Sequence, residues 1–143
     1  MAVDFKELIR QLDLRLEQTV LASSKPTTFI QYPNLAYGAT SASAPFIKAF
    51  TQFGIIDSAV LGRDGKNEVN GVYFINLYNA LNTHINGAFE FSQELLDGFP
   101  KGEKLSFGNN DIILKVGRID TGLEVDGFYL TPISIPFTAY MEI

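Results

Sequence analysis

The sequence predicts an α+β domain in which a mixed, mostly antiparallel sheet carries an N-terminal helix and a second helix packed on it. Three observations carry this expectation. Apolar residues recur at helical spacing in two separated segments, residues 4–21 and 83–99. Alternating or doubly apolar runs suited to strands fill the stretch between these segments and the C-terminal part of the chain. The chain has 143 residues, long enough for one domain with a sizeable core and too short for two, so residues 1–143 are taken as a single domain.

In the first segment Phe5, Leu8, Ile9, Leu12, Leu16 and Val20 share a helical face, while Lys6, Arg10, Asp13 and Glu17 fall elsewhere on the wheel. Asp4 followed by Glu7 forms a capping box, each side chain accepting from a free N–H of the first turn. Ser23 to Pro26 end the helix. Thr28–Tyr32 reads as a short strand closed by Pro33 and Asn34, and Tyr37–Ala44 is small, polar and uncharged, which suits a surface loop or arm. Phe46–Phe53 and Ser58–Leu61 read as strands. The hydrophilic stretch Gly62–Gly71, with its Asp-Gly step, turns the chain into the next strand. Val72–Tyr78 places Tyr73, Ile75 and Leu77 on one face and Val72, Phe74 and Tyr78 on the other; apolar on both sides, it is expected to be central.

From Thr83 the period becomes helical, with Ile85, Ala88, Phe89, Leu95, Leu96 and Phe99 on one stripe until Gly98 and Pro100 stop the helix. Asp111–Ile119 then alternates Ile112, Leu114 and Val116 against Ile113, Lys115 and Gly117. An acidic turn, Asp120–Gly127, leads to a last long strand, Phe128–Met141. Pro132 and Pro136 share a parity in that strand, so both delete N–H donors toward the same neighbour and leave one flank weakly paired.

Composition narrows the chemistry. Hydrophobic residues make up 46% and aromatics 13%, too apolar for a disordered segment. Eleven basic against sixteen acidic residues give a net charge of -5, which argues against affinity for nucleic acid or an anionic membrane surface. With no Cys, the chain has no disulfide, thiolate nucleophile or Cys-ligated metal, and a single histidine, His84, removes two-His metal sites. Seven charges in the first twenty residues leave no signal-peptide core. No run approaches the roughly 18 apolar residues of a membrane span. The expectation is a soluble protein that is not exported.

Candidate sites are weak as chemistry. His84 lacks a neighbouring carboxylate and nucleophile, and Thr83 beside it suits a helix cap. Asp120, Glu124, Asp126 and Gly127 lack the alternating acidic triplet and closing Glu of a calcium loop, and so read as a solvated turn. Gly62 and Gly65 have neither dinucleotide nor Walker spacing. Lys101 and Lys104, beside Glu103, are too few for a phosphate patch. The sequence is therefore not expected to encode an enzyme, and no catalytic group, cofactor or metal is assigned.

Charge placement is the least ordinary feature. Only Lys25, Lys48 and Asp57 lie between Gln18 and Gly62, and neither Gly71–Phe89 nor Gly127–Met141 contains a charge. Charged residues total 19%, against the ~25% usual for soluble domains. One reading is a buried sheet with Ser/Thr/Ala-rich loops. The other reading, and the one favoured, is that several of these stretches are buried again against identical subunits or a neighbouring protein, since interface cores are depleted of charge and enriched in aromatics.

Three stretches, PNLAYG (Pro33–Gly38), NGVYFINLYNA (Asn70–Ala80) and DGFYLTPISIPFTAYMEI (Asp126–Ile143), together with the N-terminal helix and the helix ending LLDGFPKG, carry a resemblance. In element order over nearly the whole chain, the protein resembles the bacteriophage tail terminator proteins, the minor tail protein U-like family of long-tailed phages. The resemblance implies a structural virion protein assembled in the host cytoplasm and placed at the head-proximal end of the tail. There it would form a homo-oligomer, a hexameric ring, that stops tube polymerisation and meets the tail tube protein on one side and the head-completion or connector protein on the other. DNA would pass through the channel without specific binding, and no membrane would be involved. The candidate interface residues are Arg63, Asp64, Lys66, Lys101, Lys104 and Arg118. The alternatives are another neck or tail-completion ring, a tail tube protein, or a small-ligand-binding α+β domain whose aromatics line a pocket.

Overall fold

A computed structural model of the chain describes residues 5–23, 30–31, 46–58, 66–80, 85–125 and 127–142. The elements are α1 (Phe5–Ala22), β1 (Ile30–Gln31), β2 (Phe46–Ser58), β3 (Lys66–Ala80), α2 (Ile85–Asp97), β4 (Lys104–Phe107), β5 (Asn110–Leu114), β6 (Arg118–Ile119), β7 (Leu123–Val125) and β8 (Phe128–Glu142). The strands form one eight-stranded sheet in the order β1-β2-β3-β8-β5-β4, with β6 and β7 also pairing to β8. Only β1 and β2 run parallel; the other pairs are antiparallel. The α+β architecture with an N-terminal helix is the one the sequence predicts.

β3 pairs along its whole length with β8 and with β2 on its other side, which makes it central. Its odd-numbered residues Val69, Tyr73, Ile75 and Leu77 are buried, as are Ile133, Ile135, Phe137, Ala139 and Met141 of β8. Both helices cover this face. Leu8, Leu12, Leu16 and Val20 of α1, with Phe91 and Leu95 of α2 and Phe99 just beyond it, close the same apolar cluster. An amphipathic helix has a single stripe to bury, and here the period-two stripe of the sheet receives it. α1 ends where Ser23 N–H donates to the carbonyls of Thr19 and Val20, while Asp4 of the expected capping box lies outside the described residues.

The two prolines of β8 behave as their shared parity predicts. Their carbonyls accept from Lys115 N–H and Asp120 N–H, both at 2.9 Å, so their missing donors point to the same flank. That flank is shared among three short strands, β5, β6 and β7, whereas β3 runs unbroken along the other.

Several expectations are corrected. Phe46 to Ser58 is one strand rather than two, with a register irregularity between Phe53 and Ile56; residues 59–65 lie outside the described part. β3 begins at Lys66, so residues 66–71 are strand and not turn. Their hydrophilic composition reflects one-sidedness: Val69 enters the core while Glu68 and Asn70 are only half-buried on the opposite face. Of the predicted second-helix stripe, Phe89 is 46% exposed, and Phe91, left out of it, is buried. The core-facing line is Phe91, Leu95 and Phe99, each four residues apart, which puts Phe89 and Leu96 at its margin. Thr83 and His84 lie outside the described residues. Asp111–Ile119 divides into β5 and β6, leaving Val116 61% exposed between them. β4 follows α2, and the expected acidic turn contains β7.

Candidate functional site

Both described helices lie on one face of the sheet, and the other face is built from the even-numbered residues of β3 and β8. Cross-strand register sets its rows: Phe46 opposite Tyr78, Lys48 opposite Asn76, Phe50 opposite Phe74, and Gln52 opposite Val72. β8 continues these rows with Leu130, Pro132, Ser134 and Pro136. Aromatic rings pair along it, Phe46 stacking on Tyr78 at 4.8 Å and Phe50 on Phe74 at 5.0 Å, with Phe128 edge-on to Phe46 at 5.0 Å. Offset stacking across neighbouring strands holds these side chains in place as a rigid apolar surface. Lys48 Nζ stands 5.2 Å from the centre of the Tyr78 ring, where the ring's negative face favours the cation.

Charged residues on this face are spread over several of its rows. Glu68 and Asp111 both sit opposite Tyr140, forming one cross-strand row, and Asp57 occupies the register position opposite Glu68. Asp111 accepts a hydrogen bond from Ser106 Oγ at 2.7 Å. Lys48 lies in the Asn76 row, and Arg118 in the Ser134 row that also holds Phe74 and Phe50, Arg118 contacting Asp120 at 3.2 Å.

The structure does not gather the six interface candidates. Arg63 and Asp64 lie outside the described residues. Lys66 opens β3 in register with Glu142, Lys101 is exposed in the turn after α2, and Lys104 is exposed at the start of β4. Arg118 is exposed on β6. Lys104 falls in the Thr138 row and Arg118 in the Ser134 row, four residues apart along β8.

The helical side holds two polar features that hydropathy alone does not reveal. Tyr73, fully buried on the central strand, donates its hydroxyl proton to Asp13 at 2.7 Å. Burial raises the Asp13 carboxyl from the ordinary 3.8 to about 6; the Tyr73 hydrogen bond pulls it back and the neighbouring Glu17 charge adds to the rise. Arg15 reaches from α1 to the Gly98 carbonyl at 2.7 Å and to the Glu103 carboxylate, tying α1 to the end of α2. Two open grooves border α1, one of about 470 Å³ toward the end of α2 and one of about 400 Å³ along Ile9, Asp13 and Leu14. Neither is the closed apolar cavity that the ligand-binding alternative requires. Among the described residues no three acidic or imidazole side chains cluster as metal ligands, and no helix is long and apolar enough to cross a membrane.

No family model matches the chain, and no curated protein matches it. Among solved structures, one of 15% sequence identity superposes with a TM-score of 0.65, covering 94% of this chain and 95% of its own. At that identity the likeness is one of fold: the chain shares an α+β architecture over essentially its whole length.

Proposed function

We propose that the chain is a ring-forming structural subunit of a bacteriophage tail, the terminator that caps the tail tube, ends its polymerisation and offers the head-completion protein a surface. The observation that carries this reading is that large apolar side chains are exposed on unlike sides of one subunit. Leu21 at 60% and Phe89 at 46% lie on the two helices, whereas Phe50 at 38% lies on the opposite face of the sheet and Leu123 at 50% on β7. A head-to-tail ring needs two different patches, one for each neighbour, and closure of the ring fixes the copy number. The resemblance to tail terminators in element order supports a hexamer and a place in the virion at the head-proximal end of the tail. The net charge of -5 suits a channel through which DNA slides without being held.

Negative-stain imaging of the purified protein, alone and with purified tube protein, tests the reading. Six-fold rings, and tubes that stop growing when the protein is added, are expected. A chain that copolymerises into the tube is a tube subunit instead, and the absence of rings both in solution and on tube ends removes the proposal. Charge reversal at Lys66 or Lys104 is expected to impair head joining or length control while leaving thermal unfolding unchanged; particles that assemble normally strike those residues from the interface.

A further inference from the structure

Two exposed surfaces of the subunit carry opposite charge and lie on opposite sides of the sheet. The first is the outer face of α2, whose sequence holds Glu90, Glu94 and Asp97 and no basic residue. With Phe91 and Leu95 turned into the core, the helical step sets these three acids on the outward arc beside Phe89, and all four are exposed. From Glu90 to Asp97 the stripe runs about 10 Å. Glu94 and Asp97 stand in the last turn, where the free carbonyls of the helix are already negative, so the subunit itself gains nothing from their charge. Asp97 accepts from Gln93 Nε2 at 2.8 Å, but among the described residues none of the three acids is in an ion pair. Arg15, which lines the same groove as Glu94 and Asp97, is held by the Gly98 carbonyl and Glu103.

The second surface is basic. Lys104 is in register with Ile113 and through it with Thr138, Lys115 N–H donates to the Pro136 carbonyl, and Arg118 pairs with Ser134. Residues directly opposite one another share a face of the sheet. The three cations therefore occupy successive even-numbered rows of β8, on the side away from the helices, over about 13 Å. All three are exposed. Arg118 shares its charge with Asp120, whereas Lys104 and Lys115 are in no ion pair among the described residues. Val116, 61% exposed, stands next to Lys115.

We infer that these surfaces are the two halves of one head-to-tail contact: the acidic outer face of α2 in one copy docks on the Lys104, Lys115 and Arg118 stripe of the next. The inference rests on the ring reading and names the surfaces that the ring uses. The stripes are opposite in sign and similar in length, and each has an exposed apolar residue, Phe89 or Val116, for the dehydrated part of the contact. Either surface laid on its own image brings like charges together. Because the two lie on opposite faces, one contact leaves one of each free for a further copy, which is the heterologous arrangement that a ring requires. A nucleic acid backbone would answer the basic stripe alone and leave the helix face without a partner.

Charge reversal of each surface on the full chain tests the contact. Glu90→Lys with Glu94→Lys makes one variant and Lys104→Glu with Lys115→Glu the other; all four positions are exposed, and thermal unfolding checks that the fold persists. Parent, each variant and their equimolar mixture are compared by sedimentation velocity from about 1 to 100 μM and by negative stain. The parent is expected to associate, and each variant alone to do so at least about tenfold more weakly, because like charges then face one another at every contact. The mixture is expected to recover to within about threefold, since each variant offers the other an opposite surface on both sides. Six-fold rings in both variants overturn this contact and leave the ring reading standing. Open chains in the parent that the variants lose and the mixture restores keep the contact and overturn the ring. A parent that stays monomeric at the top concentration overturns the contact, as does a mixture no better than its components, and the ring reading is then judged on tube ends. A duplex oligonucleotide that binds the parent and not the Lys104→Glu, Lys115→Glu variant, with self-association unchanged, also overturns it and gives the basic stripe to a phosphate backbone.

Discussion

Two residues show how local chemistry sets measurable behaviour. Asp13 holds its proton to about pH 6 in the folded protein, because burial against α1 and β3 penalises the carboxylate more than the Tyr73 hydroxyl compensates. The unfolded chain releases that proton near 3.8. Between these values the folded state binds a proton that the unfolded state has lost, so this group's contribution to stability falls as pH rises from about 4 to 6. Asp13→Asn keeps an acceptor for Tyr73 without the charge. It is expected to melt higher than the parent at about pH 7.5 and to converge with it at about pH 4; a parent that gains stability relative to the variant across that window contradicts the assignment. Gly71 sets a second constraint. A Cβ there would meet the Phe137 ring at 2.6 Å and the Gln52 carbonyl oxygen at 2.8 Å, so the ring fills the space that the missing side chain leaves. Gly71→Ala is expected to cost about 1–3 kcal/mol by denaturant unfolding, and a neutral result would mean that Phe137 can swing aside.

At the scale of elements, α2 ends without a basic residue in its last turn, which leaves its terminal carbonyls without a local cation. Arg15 supplies one from α1 by donating to the Gly98 carbonyl, and its second contact, to Glu103, fixes the loop that leads into β4. A Cβ at Gly98 would fall on the Thr19 side chain, so the two helices meet closely at this point. Arg15→Met keeps the apolar stem and removes both charge-assisted hydrogen bonds, an expected loss of about 1–3 kcal/mol. In combination with Glu103→Gln the losses are expected to be less than additive in a double-mutant cycle; additive losses would show that the two side chains act independently. β8 shows the reverse relation between sequence and element. Its prolines forbid a continuous partner on one flank, and the chain fills that flank with three short strands that turn away between contacts.

For the whole molecule, the long β3–β8 pair is the spine on which the helices, the β2 flank and the short strands are hung. Amide exchange is expected to be slowest in Val72–Leu77 and Ile133–Met141 and fastest in β1 and β4 at the two edges. Fast exchange in β3 would mean that the sheet opens from its centre. The spine also separates two faces, one covered by the two described helices and one carrying the stacked aromatic pairs.

How much of this was legible beforehand depends on what each signal encodes. The doubly apolar run Val72–Tyr78 announced a central strand, because a strand inside a sheet exposes less of either face to water than an edge strand does. The parity of Pro132 and Pro136 announced the interrupted flank, because a proline has no N–H to give. Hydropathy misassigned Lys66–Gly71 and Phe89, because a half-exposed strand end is as polar as a turn and a wide apolar arc does not fix the phase of a helix. The candidate surface was visible only as a lack of charge.

The sequence alone determined the fold class, the two helices, the central strand and the weak flank of β8, since these follow from periodicity and from backbone donors that each residue carries with it. Only the tertiary structure decided that Tyr73 meets Asp13, that Arg15 caps the other helix, and that Glu68, Asp111, Lys48 and Arg118 come to lie on one face. Those relations join residues far apart in the chain, and cross-strand register, which no local pattern records, is what brings them together.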